Sequence, residues 1–182
     1  MTASTPRAIA VFGASRVLPG DGLYEDGVRC GALLAEAGFV VMTGGYGGLM
    51  EAVSRGARDR GGTVFGITAP EVFPDRPGAN EFVSHERPAP HLLDRIHDMT
   101  RTSAAAITLP GSLGTLTELV AAWNLAFVAR FSGTAPKPLI TVGEQWATLV
   151  DHLASTLDAD RALVLTVATV DDAVKVVRKL VT

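Results

Sequence analysis

Hydrophobic positions along this chain switch between two periods. Short, near-continuous apolar runs occur at 8–13 (AIAVFG), 39–43 (FVVMT), 63–68 (TVFGIT), 105–109 (AAITL), 138–142 (PLITV) and 162–167 (ALVLTV). Strands buried on both faces read this way. Between them, apolar residues recur at helical spacing over about 22–37, 48–60, 90–103, 114–130, 144–157 and 171–181. Strand and helix alternate almost without exception, and "EAGF" and "RGGT" supply stop signals for the first two helices. The pattern predicts an α/β fold: a single doubly wound, Rossmann-like, mostly parallel sheet with helices on both faces, in one domain over 1–182. The stretch 69–90 is the longest without periodicity and holds five of the ten prolines. It reads either as a surface loop or as a wall or lid over a pocket.

In such a sheet the first strand lies centrally and the fourth predicted strand crosses to its other side, with ligands bound beyond the carboxyl ends at that switch point. Three loops rich in glycine and hydroxyls follow the strands concerned: "GASR" (13–16), "TGGYGG" (43–48) and "PGSLGT" (110–115). Glycines admit close backbone approach, and a helix starting just after them presents unpaired N–H groups and a positive dipole end, a combination suited to phosphate. Neither of the two longer loops ends in Gly-Lys-Ser/Thr or fits G-x-G-x-x-G, and the second strand ends without an acid for a ribose, which argues against a Walker loop and against NAD.

Composition narrows the picture. The chain has 182 residues, 47% hydrophobic and 19% charged, so it is globular. A net charge of −3 offers no general attraction for nucleic acid or an anionic membrane, and neither is expected as a partner. Cys30, the single cysteine, excludes an internal disulfide and reads as a packed residue in the first helix. No metal site is expected: His85, His91, His97 and His152 show no ligand spacing and read as surface residues. "MTASTPRAIAVFG" lacks a signal-peptide pattern and no apolar run approaches 18 residues, so cytoplasmic residence is the expectation.

Glu118 lies three residues after Thr115, on one helix face. Thr-x-x-Glu reads as a capping box, or as a carboxylate aimed at whatever the loop binds. A nearby dipole favours its ionised form, suited to a base or to stabilising positive charge. Arg95, from its helical pattern alone, reads as a solvated surface residue.

Several of these stretches resemble the LOG family of "lysine decarboxylase-like" proteins. "LPGSLGTLTE" (109–118) resembles its P-G-G-x-G-T-x-x-E signature, "TGGYGGLMEAVSRGA" (43–57) its first glycine motif, "VFGAS" (11–15) its opening strand and turn, and Arg95 and Met99 in "LLDRIHDM" its Arg and Met. The resemblance runs from about residue 8 to 142. It implies a phosphoribohydrolase that cleaves the N-glycosidic bond of AMP or a cytokinin riboside 5′-monophosphate to free base and ribose 5-phosphate. It implies no cofactor and no metal, and a homodimer through helices near 90–130, where Trp123 and its apolar neighbours lie. Carried over, Arg95 and Glu118 are the catalytic pair. Ser15, Gly44, Gly45, Gly47, Gly48, Met99, Gly111, Ser112, Gly114 and Thr115 bind substrate or phosphate.

Three departures bear on substrate. Ser112 stands where the signature has its second Gly, and its Cβ threatens a strained backbone geometry while its hydroxyl offers a ligand contact. Ile96 stands where Lys follows Arg, and "SAAAI" lacks the Asp of the preceding strand. Glu51, in the Met-Glu of longer relatives, reads as a second pocket carboxylate or a solvated helix residue. The competing class is a non-catalytic nucleotide or molybdenum-cofactor carrier of the same fold.

Overall fold

The computed structural model describes residues 7–76 and 78–181. Seven strands, β1 (Ala8–Phe12), β2 (Val40–Thr43), β3 (Val64–Thr68), β4 (His85–Pro88), β5 (Ala105–Thr108), β6 (Leu139–Val142) and β7 (Val164–Val167), form one sheet in the order β4-β3-β2-β1-β5-β6-β7. Every pairing is parallel. Among the described residues six α-helices accompany them, five between strands and the last after β7: α1 (Gly22–Glu36), α2 (Leu49–Asp59), α3 (Leu92–Thr102), α4 (Leu113–Ala129), α5 (Glu144–Leu157) and α6 (Val170–Leu180). Strand order reverses between β1 and β5, which pair from Ile9–Ala105 to Phe12–Thr108, so the switch point falls between the loops that follow those two strands.

The continuous apolar runs exist because each central strand is covered twice. On one face Ile9, Val11, Val41 and Ile107 pack with Leu34, Val53, Val174 and Val177 of α1, α2 and α6. On the other, Ala10, Phe12, Met42 and Ala106 pack with Met99, Leu119, Trp123, Trp146 and Val150 of α3, α4 and α5. Cys30 is fully buried in the first layer, and burial pushes its thiol up to about 12, as desolvation of a thiolate requires. The helices α1 and α2 approach closely: a Cβ on Gly56 would lie 1.8 Å from the Val28 carbonyl oxygen.

One element was not legible as a strand. β4 sits within the stretch 69–90 and consists of His-Glu-Arg-Pro, all four exposed. It pairs only with β3, at the sheet edge. An edge strand needs no apolar face, and its terminal Pro88 is tolerated there because one side of the ladder is unpaired. Residues 161–163 form a 3-10 turn before β7, whose strand therefore starts at Val164. Among the described residues no helix is long and apolar enough to cross a membrane. The four histidines are all exposed.

Candidate functional site

The three loops meet beyond the carboxyl ends of β1, β2 and β5. The Ala14 amide donates to the Pro110 carbonyl at 3.2 Å, and the Leu49 amide donates to the Ala14 carbonyl at 2.8 Å. Gly48 makes the second contact possible. Its φ of +72 suits glycine, and a Cβ there would lie 2.5 Å from the Ser15 carbonyl carbon. The cleft between the loops has a volume of about 220 Å³ and is lined on its polar side by Ser15, Gly44, Ser112, Gly114, Thr115, Arg95 and Glu118. Met50, Phe73, Leu92 and Ile96 add an apolar wall.

Arg95 projects from α3 and is 6% exposed, not a solvated surface residue as its pattern alone suggests. Its Nε donates to the Ile67 carbonyl at 2.6 Å, Nη2 approaches the Met50 sulfur at 3.5 Å, and the guanidinium lies 5.8 Å from the centre of the Tyr46 ring. Gly44 makes room for it, since a Cβ at that position would lie 1.5 Å from Nη2. The requirement at Gly44 is steric.

Glu118, in the second turn of α4, faces Arg95 with Oε1 3.4 Å from Nη1. That is long for a charge-assisted hydrogen bond, which closes to about 2.7–2.9 Å. Burial dominates both partners. It raises the Glu118 carboxyl to about 7 against the pull of Arg95, and lowers Arg95 against the pull of Glu118. The dipole argument for a firmly ionised carboxylate therefore gives way: desolvation leaves a group able to hold or release a proton near neutrality.

The capping box does not form. α4 starts at Leu113, so Thr115 is its third residue, and Ser112 is the N-cap. The Ser112 side chain makes no capping hydrogen bond, and the first helical bond runs from the Leu116 amide to the Ser112 carbonyl. The amides of Leu113, Gly114 and Thr115 therefore have no helical acceptor and sit at the positive end of a 17-residue helix. The Ser112 backbone is extended, with φ −114 and ψ −163, a conformation any residue adopts, so the Cβ introduces no strain.

Other expected residues lie behind the cleft wall. Met99 is fully buried in the second core layer, where it packs among Phe12, Met42 and Trp123 rather than lining the cleft. The Gly45 carbonyl accepts from the Asn80 backbone amide and side chain at 2.7 and 3.0 Å. Gly47 lies near Glu51, and the Gly111 carbonyl accepts from Gln145 at 3.1 Å. Glu51 accepts a hydrogen bond from Tyr24 at 2.9 Å and is not a cleft residue. Phe73 and Arg76 line the cleft from the stretch 69–90, which is thus a wall. Proline density marked that stretch in the sequence, but no periodicity singled out those two side chains. A second cavity, about 290 Å³, lies between α3 and α4 over Ala105, Ala122 and Ala126, away from these loops and without a carboxylate.

The fold and the cleft define a doubly wound α/β protein whose switch point sets the uncapped N-terminus of α4 beside a buried Arg–Glu pair. The SLOG cluster4 family profile matches residues 6–174, and the chain belongs to that family. It is 37% identical over 120 residues to a rice (Oryza sativa subsp. japonica) protein named as a probable cytokinin riboside 5′-monophosphate phosphoribohydrolase, covering 65% of this chain and 48% of the relative, so the match spans about half of that protein. It is 33% identical over 121 residues to the Mycobacterium tuberculosis protein of the same activity name, covering 66% of this chain and 62% of the relative. These relatives support the resemblance to the LOG family. Among solved structures, the molybdenum cofactor binding protein of Rippkaea orientalis superimposes with a TM-score of 0.78 at 21% identity, covering 99% of this chain and all of that one, which establishes the shared fold.

Proposed function

We propose that this chain hydrolyses the N-glycosidic bond of a nucleoside 5′-monophosphate, AMP or a cytokinin riboside 5′-monophosphate, acting in the cytoplasm as a single-domain protein without metal or cofactor. The observation that carries the reading is the buried Arg95–Glu118 pair facing the uncapped N-terminus of α4. The free amides of that turn, with Ser112 and Thr115, receive the 5′-phosphate. Leu92 and Ile96 leave an apolar wall for the base. As the base departs, the ribose takes on oxocarbenium character. Ionised Glu118 stabilises that charge and accepts a proton from the attacking water, whose hydroxyl joins C1′; Glu118 then returns that proton to the departing base, directly or through water, and is ionised again. Arg95, fixed by the Ile67 carbonyl, orients Glu118 and lowers the energy of its ionised form.

A second reading, a nucleotide or molybdenum-cofactor carrier, draws on Ile96, an apolar side chain where the resemblance expects a second cation. Incubation with AMP separates the two. Hydrolysis releases adenine and ribose 5-phosphate in equal amounts and leaves adenosine intact. Bound but unconverted AMP supports the carrier.

A further inference from the structure

The stretch between β3 and β4 stands on two feet, and both rest on the first glycine loop. At one end the Ala69 amide donates to the Tyr46 hydroxyl at 2.7 Å. At the other, the Asn80 side-chain amide donates to the Gly45 carbonyl at 3.0 Å and to the Tyr46 carbonyl at 2.9 Å. The arch between these feet carries Phe73 and Arg76 into the cleft. Tyr46 and Phe73 meet edge to face, ring centres 5.6 Å apart. The Arg76 guanidinium sits 4.6 Å from the Tyr46 ring centre and 4.2 Å from that of Phe73. Arg95 faces the same Tyr46 ring at 5.8 Å. Arg76 makes no ion pair with a carboxylate among the described residues. A guanidinium held by ring faces is fixed in place while its charge stays available, whereas a carboxylate partner would neutralise it.

We infer that Tyr46 is a positioning residue for ligand charge: with Phe73, its ring seats the Arg76 guanidinium and so sets where a phosphate-bearing ligand is held. Tyr46 is 4% exposed, beneath the cleft, and acts through Arg76. The inference rests on the proposed function only in taking the ligand to carry a phosphate. It holds equally for hydrolase and carrier.

The test uses ribose 5-phosphate and adenosine as calorimetric probes of the whole protein. Tyr46→Leu removes the ring and is expected to weaken ribose 5-phosphate about tenfold, with adenosine within twofold of wild type. Tyr46→Phe keeps the ring and removes the acceptor for the Ala69 amide. That amide belongs to a fully buried residue, so the melting temperature falls while phosphate affinity stays within twofold. A purely structural role would weaken both probes together, or make phosphate affinity follow stability through both variants; either result overturns the inference. If Tyr46→Leu does not fold, Phe73→Leu removes the other ring. It is expected to weaken ribose 5-phosphate severalfold, and unchanged affinity overturns the inference. Wild type that binds adenosine but not ribose 5-phosphate refutes the phosphate reading and this inference with it. Phosphate binding without turnover of AMP refutes the hydrolase alone.

Discussion

Replacing Glu118 with Gln tests whether burial governs the pair. The carboxyl is raised from its ordinary 4.5 to about 7, with burial as the larger cause and Arg95 opposing it. The folded protein therefore binds this proton more tightly than the unfolded chain does. Stability from this group is fully present below 4.5 and is lost as pH rises to about 7, because the folded state holds more protons throughout that window. At about 1.4 kcal/mol per pH unit the loss amounts to about 3 kcal/mol. The amide is close to the protonated carboxyl in size and carries no such dependence. Urea unfolding of wild type and Glu118→Gln at pH 4.5 and 8.5 reads the effect directly. The two proteins are expected to be nearly equal at the lower pH, and the variant more stable by up to about 3 kcal/mol at the higher. A difference that stays flat across this range, or wild type gaining on the variant as pH rises, would refute the claim that desolvation outweighs the attraction of Arg95.

Gly44→Ala places a Cβ where Arg95 Nη2 lies, 1.5 Å away, so Arg95 must move; turnover of AMP is expected to fall at least about tenfold, and stability by roughly 1–3 kcal/mol in urea. With Glu118 acting as a base in its ionised form, kcat/KM for AMP should climb with pH through about 7, and a profile flat from pH 5.5 to 8 would argue against that role. A homodimer through helices near 90–130 would cover Val120, Leu125, Phe127 and Val128, all exposed on α4; sedimentation velocity should then show a dimer that Leu125→Glu with Phe127→Glu converts to monomer. Gly56→Ala sets a methyl 1.8 Å from the Val28 carbonyl oxygen and should lower the melting point by forcing α1 from α2, a loss of more than about 2 kcal/mol.

What was legible in the sequence follows from which surfaces each element buries. β1, β2, β3, β5 and β6 are covered on both faces, and their continuous apolar runs mark them within a residue or two. β4 buries neither face and left no signal beyond its place in a proline-rich stretch. The loop cluster could be placed from the strand order, because the switch point is a property of topology. Arg95 could not be recognised as buried from periodicity, since its space is created by a missing side chain on Gly44, distant in sequence and adjacent in the fold. Arg76 and Phe73 lie in irregular backbone, where no period distinguishes an inward side chain from an outward one. Thr115 and Glu118 matched a capping box by spacing alone; the helix begins three residues earlier than that motif requires, which leaves Ser112 at the N-cap.

The central claim is that the Arg95–Glu118 pair breaks a glycosidic bond. Incubation of the purified protein with AMP and with isopentenyl-AMP, followed by chromatography for free base, tests it most directly, with Glu118→Gln in parallel. Base released by the wild type and abolished in the variant, while the variant still binds nucleotide, is the predicted result. Wild type that binds both nucleotides and releases no base from either would contradict the claim and leave the cleft as a carrier site.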